Sequence, residues 1–106
     1  MSEAELYRLV EQCDGFDWDE GNSTKNWIKH RVSMDECEQA FGNAPLLAPD
    51  YSHSIEERRL VARSKTDSGR CLFISFTVRG TLIRVISARP MDRRERADYE
   101  EIERAS

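Results

Sequence analysis

A chain of 106 residues, 34% charged and 39% hydrophobic, fits one soluble domain, 1–106, with a small core. No apolar run approaches a membrane span and the acidic start lacks a signal-peptide hydrophobic region, so a membrane role is excluded and a cytoplasmic location is expected. Cys13, Cys37 and Cys71 form no CxxC pair and only two histidines are present, so the thiols read as buried and reduced and no metal site is expected.

The net charge of −4 by itself argues against nucleic acid, but its distribution does not. Residues 1–56 sum to −8, residues 57–96 to +7 and residues 97–106 to −3. A basic block between acidic ends can contact phosphate, and it can equally be a solvated, arginine-rich sheet.

In chain order, Ser2-Glu3-Ala4-Glu5 reads as a capping box, followed by Leu6, Leu9, Val10 and Cys13 on one helical stripe over 3–13. Asp14-Gly15 stops that helix, and Phe16-Asp17-Trp18 alternates like a short strand. Asp19 caps a helix over 20–30 with Trp27 and Ile28 turned inward. Ser33-Met34-Asp35-Glu36 is a second capping box, whose helix buries Cys37, Ala40 and Phe41 and ends at Gly42. Residues 43–56 read as a loop or irregular edge strand. Three strands follow, over 57–65, 70–78 and 81–89, turning at Asp67-Ser68-Gly69 and Arg79-Gly80. Asp92 with Glu95 opens a last helix carrying Ala97, Tyr99 and Ile102. The order gives an α+β fold: an antiparallel sheet, made of a three-strand meander plus a short N-terminal strand, with helices packed on one face.

The turns set a register. A two-residue turn at Arg79-Gly80 pairs Val78 with Thr81 and Ser75 with Arg84; a four-residue turn at 66–69 pairs Leu60 with Ser75 and Arg58 with Thr77. Leu72, Ile74, Phe76, Val78, Ile83 and Val85 then form the core face. Arg58, Leu60, Phe73, Ser75, Thr77 and Arg84 form the other, where two arginines flank hydroxyls. Arginine's planar, always charged fork suits a phosphate at such a place.

Several segments resemble one family. They are Phe16-Asp17-Trp18-Asp19-Glu20, Asn26-Trp27-Ile28-Lys29-His30 with Val32-Ser33, Asp50-Tyr51-Ser52-His53-Ser54 with Glu56-Glu57-Arg58, Arg84-Val85-Ile86-Ser87-Ala88-Arg89, and Arg93-Arg94-Glu95-Arg96 with Tyr99-Glu100. In this order and spacing they are similar to the BrnT toxins of type II toxin–antitoxin systems. The resemblance covers about residues 16–101 and leaves 1–15 as an added helix. Arg31 stands where the family has a glycine suited to a left-handed helix end, and Arg59 where an apolar residue is usual.

The resemblance implies a RelE-like fold, metal-independent RNA cleavage, and a BrnA-type antitoxin that binds DNA, so that the toxin meets DNA only indirectly. It marks Lys29, His30, Glu57, Arg58, Arg84, Ser87 and Arg89. Cleavage through the substrate's 2′-hydroxyl requires a proton acceptor, stabilisation of the phosphorane and a proton donor, and no cofactor. Arg58 and Arg84 are the candidates for the phosphorane, Glu57 or His30 for the base, and Lys29 for the phosphate or leaving group. Arg79, Arg89, Ser75, Thr77 and Ser87 are the candidate RNA contacts. Arg89 and Ser87 are expected on the core-facing side, where binding helix carboxylates is an equal alternative. A non-catalytic nucleic-acid- or protein-binding module is the competing reading.

Overall fold

The computed structural model describes residues 2–50 and 58–106. Among these described residues four helices and five strands follow one another in the order α1 (Glu3–Glu11), β1 (Gly15–Phe16), α2 (Glu20–His30), α3 (Met34–Gly42), β2 (Leu46–Pro49), β3 (Leu60–Lys65), β4 (Cys71–Arg79), β5 (Leu82–Pro90) and α4 (Arg93–Ala105). The α+β class is as the sequence implies. The sheet is larger than a meander with one added strand. Its order is β1-β5-β4-β3-β2, with β1 parallel to β5 and the other pairs antiparallel.

The helix starts follow the sequence signals. Ser2, Asp19, Ser33 and Asp92 each accept a backbone N–H with their side chain, and Ser33 with Glu36 and Asp92 with Glu95 complete reciprocal capping boxes. One face of the sheet carries Leu60, Ala62, Leu72, Ile74, Phe76, Ile83, Val85 and Ala88. They pack against Leu6 of α1 and Cys37 and Ala40 of α3. Phe41 meets Phe76 edge-on with ring centroids 5.0 Å apart, which locks α3 over β4. All three thiols are free and only Cys37 is fully buried; burial, with Glu36 and Glu38 nearby, pushes it up to about 12.

The helices are not confined to that face. Arg63 and Lys65 alternate with core-facing Ala62 and Ser64, so they point to the other side of β3. There they pair with Asp98 at 2.7 Å and Glu103 at 3.0 Å, and α4 therefore lies against the opposite face, burying Tyr99. The inward turn expected of Trp27 and Ile28 is also corrected, because these side chains are 49% and 67% exposed. The face of α2 that meets the sheet is carried by Asn26, whose Oδ1 accepts the Ala88 N–H at 3.2 Å. β1 is only two residues long, so α2 continues along the edge of β5 and satisfies part of its backbone.

Both hairpins differ from the expected register, with different consequences. The first turn spans five residues, pairing Lys65 with Cys71, closed by Thr66 N–H to Arg70 O at 2.9 Å and Gly69 N–H to Thr66 O at 2.9 Å. Gly69 holds φ +90° there, which glycine adopts without strain. This one-residue change turns Leu60 into the core, where it is 1% exposed. The second turn is Gly80-Thr81 and pairs Arg79 with Leu82. That two-step shift keeps every face and brings Thr77, not Ser75, opposite Arg84.

Candidate functional site

The decisive local feature is a register shift between Ser75/Ser87 and Phe76/Val85, which leaves Ile86 as an extra residue in β5. Before it, Ile83 and Val85 face the core and Arg84 the other side; after it, Ala88 faces the core. Ser87 and Arg89 therefore share a face with Arg84, and their expected core-facing placement is corrected. Three successive cross-strand pairs line this face: Phe73/Arg89, Ser75/Ser87 and Thr77/Arg84. From Phe73 to Thr77 the strand rises roughly 13 Å, so the two arginines bracket the serine pair.

Neither arginine is bare. Arg84 donates through Nη1 to Asp17 at 3.3 Å and through Nη2 to Asp19 at 2.9 Å. Arg89 holds Glu95 in a bidentate pair at 2.7 and 2.9 Å, and its guanidinium carbon lies 4.3 Å from the centre of the Phe73 ring. The side chain of Arg84 remains 21% exposed and that of Arg89 37%. A guanidinium has five N–H donors, so these pairs leave capacity for an anion.

His30, at the end of α2, is half-buried, four residues beyond the sheet-facing Asn26. Burial, and then the Lys29 and Arg89 cations, hold its imidazole below the ordinary value of 6.5. It is therefore mostly neutral at pH 7, the form that can accept a proton. Lys29 is exposed beside it. The structure thus gathers Ser75, Ser87, Arg84 and Arg89 on one face, with His30 and Lys29 near its Arg89 end.

Two expected site residues take other roles. Thr77 is 3% exposed and its hydroxyl donates to the Arg58 carbonyl at 2.9 Å, so it ties the chain before β3 to β4. Arg58 precedes β3, and the change at the first turn removes the alternation that brought it to the hydroxyl face. Arg79 is exposed at the end of β4, beside the hairpin turn. Glu57 and His53 lie outside the described residues.

The family model for the ribonuclease toxin BrnT of type II toxin–antitoxin systems matches residues 18–95. The chain belongs to the BrnT family. The crystal structure of the ribonuclease toxin BrnT of Brucella abortus is similar at TM-score 0.59 and 22% identity, over 74% of this chain and 97% of that one. That likeness shows a shared fold. No curated protein matches the chain. The BrnT match begins after α1, yet Leu6 of α1 sits in the same core at 2% exposure.

Among these BrnT-family segments, the sequence allows arginine pairing with helix carboxylates but does not single out which acids take part. Asp17 and Asp19 stand in the Phe16–Glu20 segment and Glu95 in a capping box, and each also binds an arginine of β5. The available signal was pairing across motifs: an acidic segment and an arginine-rich one, both needed at one end of the fold. In the sequence Asn26 stands out only as part of the Asn26–His30 motif. Its 4% exposure and its bond to a strand N–H make it a structural joint, and its Nδ2 has no partner among the described residues.

Proposed function

We propose that the chain is the toxin of a type II toxin–antitoxin pair and cleaves RNA without a metal. The observation that carries this reading is the bulge at Ile86, which aligns Arg84, Ser87 and Arg89 on one face with Ser75 opposite Ser87. The RNA 2′-hydroxyl attacks the adjacent phosphorus, its proton passes to His30, and the 5′-oxygen departs with a proton from Lys29. The products are a 2′,3′-cyclic phosphate and a free 5′-hydroxyl. Arg84 and Arg89 stabilise the phosphorane, where losing one such donor commonly lowers the rate by about 10²–10³. Glu57 is the alternative proton acceptor. An RNA substrate and a BrnA-type antitoxin make the chain a cytoplasmic protein that contacts DNA only through the complex.

A second reading, a non-catalytic nucleic-acid-binding module, is favoured by the carboxylates already seated on Arg84 and Arg89. One experiment separates the two. Protein freed of antitoxin is incubated with RNA in EDTA. Cleavage that persists, falls in Arg84→Ala and is lost in His30→Ala supports the proposal; loss in Glu57→Gln instead moves the base. Salt-dependent binding without products supports the second reading. Loss of cleavage in EDTA ends the metal-free scheme.

A further inference from the structure

We propose that Arg70 is a positioning residue for His30: braced by Glu36, its guanidinium closes the end of α2 and fixes the backbone that carries the imidazole. The proposal rests on the reading of His30 as proton acceptor.

The last carbonyls of a helix have no partner within it. At the end of α2 the backbone supplies two closures: Arg31 N–H to Trp27 O at 2.9 Å and Val32 N–H to Asn26 O at 3.4 Å. The first is the ordinary bond of a helical turn; the second needs the chain to reverse at Arg31, which lies in the left-handed region at φ 54°, ψ 41°, a strain on a residue with a side chain. Two further carbonyls are taken by one distant side chain. Arg70 donates through Nη2 to His30 O at 2.9 Å and through Nη1 to Arg31 O at 2.6 Å.

This guanidinium is itself fixed. Glu36 accepts from Nη1 at 3.0 and 3.2 Å while capping Ser33 N–H at 3.1 Å. The Arg70 backbone is held by Thr66, whose hydroxyl accepts the Arg70 N–H at 3.1 Å and whose N–H donates to the Arg70 carbonyl at 2.9 Å. The end of α2, the start of α3 and the β3–β4 turn thus meet at one planar cation. A cation at a helix C-terminus also opposes the negative end of the helix dipole. Around His30 stand Lys29 from its own helix and Arg89 of β5 with Glu95 of α4 behind it; Arg70 and Glu36 hold its backbone. A helix end that frays lets the half-buried imidazole turn out into solvent.

The test measures RNA cleavage and the NMR titration of the His30 imidazole, assigned against His53→Gln. In Arg70→Ala, kcat falls about tenfold with KM within about twofold. The His30 midpoint rises toward 6.5. Arg70→Lys, which keeps the charge but not the fork, falls between. Adding Arg31→Gly to Arg70→Ala relaxes the helix end and recovers much of the loss. A folded Arg70→Ala with wild-type titration and kcat overturns the proposal. If that variant does not fold, Glu36→Gln must move both readouts the same way by less, and no movement overturns it. If the midpoint moves but His30→Ala still cleaves, the base assignment fails and the positioning of the helix end stands.

Discussion

Asp19 caps α2 and also grips Arg84, with its Oδ2 2.9 Å from Nη2. One carboxylate therefore closes a helix start and fixes the arginine proposed to meet phosphate. Asparagine is as good a cap as aspartate but carries no charge. Asp19→Asn should keep most of the thermal stability while loosening Arg84, and Asp19→Ala should lose more. Thermal denaturation of the two variants checks the order; equal losses would mean that the cap is idle.

Acid should destabilise the fold through a defined set of carboxyls. The Asn22 N–H and Arg84 hold Asp19 low, and the Arg89 pair holds Glu95 low. Burial opposes the same effect at Glu36, where the Ser33 N–H and Arg70 prevail. A carboxyl with a depressed folded value contributes stability above its unfolded value and loses it as pH falls through the folded one. The urea midpoint should therefore drop once pH goes below about 4.5, the ordinary glutamate value. Glu95→Gln should show a shallower drop than the parent chain.

Cleavage should have an acid limb set by His30. Its folded value lies below 6.5, so the neutral base persists to lower pH than a free imidazole would. The rate should be flat through neutrality and fall only below pH 6.5. An acid limb centred at or above that value would remove His30 from the base role.

The helix starts were legible in the sequence because capping is local: Asp19, Ser33-Glu36 and Asp92-Glu95 signal within four residues. The core face was legible too, since Leu72, Ile74, Phe76, Ile83 and Val85 alternate without interruption. The bulge was not. Nothing near Ile86 marks an inserted residue, and its cause is the pairing of β5 with β4 on one side and α2 on the other. The five-residue first turn was hidden in the same way. Thr66 and Arg70 close it through backbone and hydroxyl bonds, and that single residue removes the register that placed Arg58 opposite Thr77. Trp27 and Ile28 misled because hydrophobicity gives no direction on a helix whose buried contact is a polar one, Asn26.

Arg31→Gly should stabilise the chain. A left-handed residue other than glycine costs roughly 1–2 kcal/mol, and glycine's greater freedom when unfolded removes part of that gain. Arg31 also loses a weak contact over Trp27, at 5.4 Å. A net gain of about 0.5–1 kcal/mol in urea unfolding is expected. No gain would mean that the Arg70 contacts have already relieved the strain.

Asn26→Ala should expose a defect at a single amide. The Ala88 N–H would lose its acceptor inside a buried joint, at a cost of about 1–3 kcal/mol. Hydrogen exchange of that amide should accelerate more than that of Ile74 on the interior strand. Uniform acceleration would show that Asn26 has no special hold on β5.

The covering of the sheet margins has a consequence for recognition. On one side α2 runs beside β5 with Asn26 on its backbone; on the other, the Tyr7 hydroxyl accepts the Leu47 N–H at 3.0 Å on a strand of four residues ending in Pro49. A foreign peptide thus finds little free ladder to extend at either border. With the edges of the described residues so covered, a protein that binds this chain is expected to grasp it by side chains, across its helices or over its arginine face, and not by adding a sixth strand.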